Sequence, residues 1–334
     1  MPTVLERLNF ALQHVMETDE RVYLIGEDIL DPYGGAFKVT KGLSTRFPER
    51  VLTTPISESA IVGISSGLAM RGLRPVAEIM FGDFVTLTAD QLINHAAKFR
   101  WMYNDQVRVP IVVRAPMGGR RGYGPTHSQS LEKLFLGVPG LRVVAPNALQ
   151  DPAGLLQAAI LQDEGPILFI EHKLLYTCSL LEPGKAELLD FQIETSAEPF
   201  PVSVLRFPAV LHGQLTIATY GYNFELARAA ALKLAYEYEI FAEIVLFSQL
   251  SPFEIDPLIA SVRRTGHLLT IEEGTQPVGW GAEISAQAAE KLPGLKIRRA
   301  AALNLPIANA KTLEDAILPS QEKILKLALE ILKK

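Results

Sequence analysis

The chain has 334 residues, of which 48% are hydrophobic and 21% charged, a balance that fills substantial cores over a length suited to two domains. A formal charge of −5 gives no footing for nucleic acid or an anionic membrane surface, and a single cysteine, Cys178, excludes an internal disulfide or a thiolate metal cluster. No apolar run approaches the roughly 20 residues of a membrane span, and the N-terminus lacks the basic and apolar blocks of a secretion signal. The expectation is a soluble, cytoplasmic protein.

In chain order, the period of the apolar residues predicts a helix over Val4–Glu17 and a strand over Val22–Gly26 that closes on Glu27 and Asp28. Thr53-Thr54-Pro55-Ile56-Ser57-Glu58 then leads from an extended segment into a helix over Ser59–Gly72. That helix carries no charge before Arg71, so it can pack on several sides and Glu58 should begin a largely buried element. Strands follow over Val76–Met80, Ile111–Ala115, Leu141–Ala145 and Ile167–Glu171, with helices over Ala89–Tyr103 and Pro152–Gln162. From Leu181 to Gly213 the pattern breaks into Pro, Glu and Phe, which suits an interdomain connection.

Alternation resumes with strands over Leu215–Thr219, Glu243–Phe247, His267–Glu272 and Lys296–Ala301. Between them lie helices over Glu225–Tyr236, Ile255–Arg264 and Ala282–Lys291, and the amphipathic tail from Gln321 reads as a helix docking on its own domain. Strands alternating with helices predict two α/β domains built on parallel sheets. The expected division is a first domain over 1–185, a linker over 186–213 and a second domain over 214–334.

Three segments could carry chemistry. Glu58 faces opposed effects: burial raises a carboxyl pKa, while a helix N-terminus and nearby donors lower it, which suits proton transfer. The plain alternative is a first-turn Glu stabilising the helix dipole behind an N-cap, Ser57. The loop Pro116–Gln129 follows a strand, lacks the GxxxxGK[ST] order of a P-loop, and offers Arg120, Arg121 and His127. It is either a ligand-approaching segment or a surface glycine loop. Met80-Phe81-Gly82-Asp83-Phe84 reads as a strand end whose aromatic ring could stack on a planar heterocycle or merely pack in a core. His95, His172 and His267 lack metal-ligand spacing.

The order of Gly26-Glu27-Asp28, Gly34-Gly35-Ala36-Phe37, Thr54–Glu58, Gly72-Leu73-Arg74-Pro75, Thr126-His127-Ser128-Gln129 and Pro139-Gly140-Leu141 is distinctive. It resembles the beta subunit of the thiamine-diphosphate-dependent 2-oxo acid dehydrogenases, the first component of the pyruvate and branched-chain complexes. Gly279-Trp280-Gly281-Ala282-Glu283 and Thr312-Leu313-Glu314 extend the resemblance into the second half.

The resemblance implies a transketolase-like fold, with a pyrimidine-binding domain and a transketolase C-terminal domain. It implies that Glu58 hydrogen-bonds N1′ of the cofactor's aminopyrimidine, favouring the tautomer that takes the proton from thiazolium C2. Phe84 matches the aromatic beside that ring, and Ile56 and Leu87 line the same pocket. His127 matches the histidine that assists proton movement on the substrate or the lipoyl acceptor. A structural potassium ion near Gln162-Asp163-Glu164 is a further property of such chains.

The Gly-Asp-Gly and Asn pattern that marks a magnesium–diphosphate site is missing, since Gly82-Asp83 is followed by Phe84. The resemblance therefore implies an alpha subunit that holds Mg2+ and the diphosphate, in an α2β2 assembly acting on a 2-oxo acid. A lipoyl acyltransferase is a further partner. Departures at Leu246-Phe247-Ser248, Ala308-Asn309 and Gly137 bear on the substrate and on docking to that acyltransferase. The alternatives are a thiamine-dependent decarboxylase or acyl transferase that meets no lipoyl group, and a non-catalytic scaffold subunit.

Overall fold

Thr3 begins helix α1 (Val4–Thr18) through a capping box, its side chain accepting from the Glu6 N–H while the Glu6 carboxylate accepts from the Thr3 N–H. In the computed structural model, which describes residues 1–197 and 199–333, this helix belongs to the first of two compact units. That unit comprises Met1–Gly118 and Leu134–Leu180; Gly119–Lys133 and the chain from Leu181 form the second.

In the first unit β1 (Val22–Gly26), α2 (Leu43–Arg46), β2 (Val51–Thr53), α3 (Glu58–Met70), β3 (Arg74–Glu78) and α4 (Ala97–Met102) precede β4 (Val112–Met117). Then come β5 (Arg142–Val144), α5 (Pro152–Leu161) and β6 (Ile167–His172). The strands lie in the order β5-β6-β4-β3-β1-β2, all parallel. β1 has β2 on one side and β3 on the other, so the winding direction reverses beside it. In open α/β sheets, ligands bind outside the strand carboxyl ends at such a reversal. Glu27, the start of α3 and the Phe81–Phe84 segment follow β1, β2 and β3 respectively.

Three expectations change here. The strand expected over Val76–Met80 runs over Arg74–Glu78, and Gly82–Thr88 is 3₁₀-helical rather than a strand end. A Cβ on Gly82 would lie 2.1 Å from Met117 Cγ, so only glycine lets the chain turn this closely against β4. The helix expected over Ala89–Tyr103 opens with a π-helical stretch, Gln91–Ala96, before α4.

The second unit holds β7 (Gln192–Thr195), β8 (Val202–Arg206), β9 (Leu215–Tyr220), α6 (Asn223–Tyr238), β10 (Ala242–Phe247) and the short β11 (Gln249–Ser251). It continues with α7 (Asp256–Thr265), β12 (His267–Thr275), α8 (Trp280–Lys291), β13 (Lys296–Ala302), α9 (Lys311–Ile317) and α10 (Gln321–Leu332). Its sheet runs β13-β12-β9-β10-β8-β7, parallel from β13 to β10 and antiparallel thereafter. The segment expected as a linker over 186–213 therefore contains two sheet strands. β7 sits at the edge with mostly exposed side chains, so no apolar alternation marks it in the sequence. α10 buries Ile324, Leu325, Ala328 and Ile331 against α6 and β13, as its amphipathic pattern requires.

Candidate active site

Glu58 is 5% exposed at the first position of α3. The helix buries Glu58, Ile61, Val62, Ser65, Ser66 and Ala69, a stripe at three- and four-residue spacing. The hydroxyls of Ser65 and Ser66 are satisfied by donating to the carbonyls of Ile61 and Val62 at 2.7 and 2.9 Å. Ser57 occupies the cap position, but its side chain makes no capping hydrogen bond. The sequence reading of α3 as packed on several sides is also corrected: Ile64 and Met70 on its other face are 55% and 43% exposed.

Beside Glu58 stands Glu27, also 5% exposed, whose Oε1 is buried without a hydrogen-bond partner. Burial pushes the Glu27 pKa up, the charge of Glu58 pushes it further, and the Ser57 N–H opposes both. Glu27 thus binds its proton more tightly than an ordinary carboxyl does. The 3₁₀ segment Gly82–Thr88 packs on α3. Phe84 is half-buried in it, edge-on to Phe81 at 5.9 Å between ring centroids, and Phe81 packs in turn on Phe37 at 5.6 Å. Ile56 and Leu87 are 81% and 56% exposed, so in this chain alone they wall no closed pocket. A groove of about 660 Å³ in the same unit is lined by Ala97, Lys98, Arg100, Trp101, Asn104, Asp105, Pro139 and Gly140, none of which is a predicted site residue.

His127 lies in the second unit, half-buried, its Nδ1 3.0 Å from Thr126 Oγ1. Of the histidines read as ordinary, His172 accepts the Leu174 N–H and His267 Nδ1 lies 3.0 Å from the Gln214 carbonyl. Ser248, one of the departures, is fully buried and donates to the Pro201 carbonyl at 2.8 Å, so it serves the junction of β10 with β8.

A parallel sheet with a carboxylate helix start at its reversal, followed by a second, mostly parallel sheet, defines a transketolase-like protein. Residues 2–179 match the transketolase pyrimidine-binding domain and residues 211–324 the transketolase C-terminal domain. A split-gene transketolase described as an inactive beta4 tetramer superposes with a TM-score of 0.74 over 99% of both chains at 18% identity. The transketolase of Leishmania mexicana gives 0.71 over 98% of this chain and 45% of its own, at 16% identity.

More similar in sequence is the beta subunit of acetoin:2,6-dichlorophenolindophenol oxidoreductase from Cupriavidus necator, 38% identical over 95% of this chain and 93% of that protein. The pyruvate dehydrogenase E1 beta subunit of Saccharomyces cerevisiae mitochondria is 35% identical over 99% and 88%, and that of Rickettsia bellii 36% over 97% and 96%. The chain belongs to the family of 2-oxo acid dehydrogenase E1 beta subunits.

Family membership implies thiamine diphosphate dependence. The residues present suit the ring end of that cofactor, because a buried carboxylate at a helix start adjoins an unsatisfied buried carboxylate oxygen, Glu27 Oε1. A potassium ion near Gln162–Glu164 suits them poorly. Arg74 Nη1 donates to the Ile160 and Asp163 carbonyls, both at 2.9 Å, and Arg74 Nη2 pairs with Glu164 at 2.9 Å. Arg142 Nε meets Asp163 Oδ2 at 2.8 Å. The Arg74 guanidinium thus already takes the Ile160 and Asp163 carbonyls, and Arg142 takes the Asp163 carboxylate.

Proposed function

We propose that this chain acts with an alpha subunit, in an α2β2 assembly, in the thiamine-diphosphate-dependent oxidative decarboxylation of a 2-oxo acid with acyl transfer to a lipoyl group. When bound, the cofactor supplies the electron sink that decarboxylation requires. Glu58 would hold the proton at N1′ of its pyrimidine, with the buried Glu27 carboxyl beside it. Phe84 supports the ring's face, with Ile56 and Leu87 as walls. His127 moves a proton on the substrate or acceptor. The diphosphate and Mg2+ belong to the alpha subunit, which is consistent with Phe84 standing where a Gly-Asp-Gly motif would have its second glycine.

The observation that carries this reading is the buried, carboxylate-paired Glu58 at a sheet reversal whose neighbouring wall residues, Ile56 and Leu87, are exposed. Exposed apolar side chains next to a buried carboxylate pair are what a missing partner would cover. Ile64 and Met70 on α3 are exposed as well. The test is Glu58→Gln in the co-expressed alpha–beta complex. Turnover is expected to fall by at least about 100-fold, within the range of a lost acid–base group, while assembly persists. Full turnover in an assembled complex would reject the role.

A second reading is raised by the acetoin oxidoreductase subunit among the relatives, which is as similar as plant pyruvate dehydrogenase E1 beta subunits: the substrate is an acyloin rather than a 2-oxo acid. Assaying the complex with pyruvate and with acetoin, each with and without a lipoyl acceptor, separates the two. The same assay separates both from a decarboxylase that needs no lipoyl partner. Failure to bind thiamine diphosphate by calorimetry would leave the scaffold reading.

A further inference from the structure

The loop that bears His127 leaves the end of β4, yet residues Gly119–Lys133 belong to the second unit. Their attachment there is specific. The Glu314 carboxylate, 1% exposed in α9, accepts the Arg120 N–H on Oε1 at 2.7 Å and the Gly122 N–H on Oε2 at 3.2 Å. The Glu273 carboxylate, 3% exposed in β12, accepts the Gly119 N–H at 2.7 Å and Arg120 Nε at 3.1 Å. Arg120 Nη2 closes the arrangement by donating to the Pro319 carbonyl at 2.6 Å.

The backbone is built for this. Arg120 and Gly122 have φ of +70° and +68°, with an intervening residue of ordinary φ, and such alternation turns successive N–H groups inward as an anion-binding concavity. Here the anion is an internal carboxylate. A positive φ at Arg120, a residue with a Cβ, is strained and persists only where its surroundings hold it. A Cβ at Gly119 would lie 2.8 Å from Leu318 Cδ1 and 3.1 Å from Glu314 Oε1, so a side chain there would push on the anchoring carboxylate. At the loop's other end Glu132 accepts from Tyr220 and Lys133 Nζ donates to the Pro277 carbonyl at 2.9 Å. The stretch carrying His127 is suspended between these two clamps.

We infer that Glu273 and Glu314 are positioning residues: they capture the loop's backbone amides and so set where His127 stands. The inference rests on the proposed role of His127 for its catalytic consequence, though not for the anchoring itself.

The full-length wild-type chain supplies the first test. Hydrogen exchange should show the amides of Gly119, Arg120 and Gly122 protected at least about 100-fold relative to free peptide, since both their acceptors are buried. Exchange at free-peptide rates would overturn the anchoring without any variant having to fold.

The second test compares Glu314→Gln and Glu314→Asp with wild type, after circular dichroism confirms the fold. Glutamine offers one acceptor oxygen for two N–H donors, so tryptic cleavage after Arg120 or Arg121 should accelerate about tenfold or more. Aspartate keeps two oxygens and should restore part of the protection. Unchanged cleavage in a folded Glu314→Gln chain would overturn the inference. Turnover of the reassembled alpha–beta complex then separates the two readings. Faster cleavage with lower kcat supports both, whereas faster cleavage with unchanged kcat retains the anchoring and removes His127 from the chemistry.

Discussion

Glu272 shows how much a buried carboxyl depends on its immediate surroundings. It is 1% exposed, and burial, followed by the charge of Glu132, pushes its pKa up to about 8. The N–H groups of Gly281 and Trp280 and the charge of Arg299 limit the rise. The sign of the consequence follows from linkage. The folded state retains this proton above pH 4.5, the ordinary glutamate value, while the unfolded chain releases it. Stability should therefore fall as pH rises from about 4.5 to about 8. The slope from this one group is about 1.4 kcal/mol per pH unit. Glu272→Gln should remove that component and leave the variant relatively more stable at pH 8 than at pH 5, as read by denaturant midpoints. An unchanged pH profile would show that Glu272 ionises normally. The burial of Glu58 was legible because a carboxylate next to an uncharged helix is a local pattern, whereas its role came only from the resemblance. Glu27 was legible only as one of several acids at strand ends.

At the scale of elements, the first sheet is fastened by an ion cluster across three adjacent strands. Arg114 on β4, 1% exposed, donates from Nε and Nη2 to Glu171 on β6 and from Nη1 to Glu78 on β3, each at 2.7 Å. Tyr176 adds its hydroxyl to Glu171 at 2.6 Å, which raises the tyrosine pKa beyond what burial alone would do. Arg114→Met should cost about 3–5 kcal/mol, because it strands two buried carboxylates rather than removing a balanced set. Urea unfolding measures this, and a loss below about 1 kcal/mol would show that Glu78 and Glu171 take up protons at little cost. Long periodic elements such as α1, α5 and β6 were readable from sequence within a residue or so at their ends. β2, β7, β8 and α9 were not. They are short, and β7 is exposed, so apolar period carries little information about them.

For the whole molecule the central question is what covers the exposed apolar side chains of α3. Ile64 is 55% exposed, so Ile64→Asp should leave the secondary structure of the isolated chain unchanged and its thermal midpoint nearly so. It should weaken association with the alpha subunit at least about tenfold, by placing an unpaired charge in an apolar interface. Sedimentation of mixed subunits reads this, and undiminished association would put the alpha subunit elsewhere on the surface.

The sequence by itself determined the class of fold, the order of its motifs and the chemical character of Glu58, Phe84 and His127. These are written in local terms: residue period, neighbouring dipeptides and the type of side chain at a strand end. Only the tertiary structure decided that the His127 loop is held by Glu273 and Glu314, that the Arg74 guanidinium takes the Ile160 and Asp163 carbonyls, and that residues 186–213 supply sheet strands. Each of these joins groups distant in sequence, or depends on burial at a particular edge. No local pattern encodes such pairings, because they arise only when each unit folds and brings the groups within hydrogen-bonding distance.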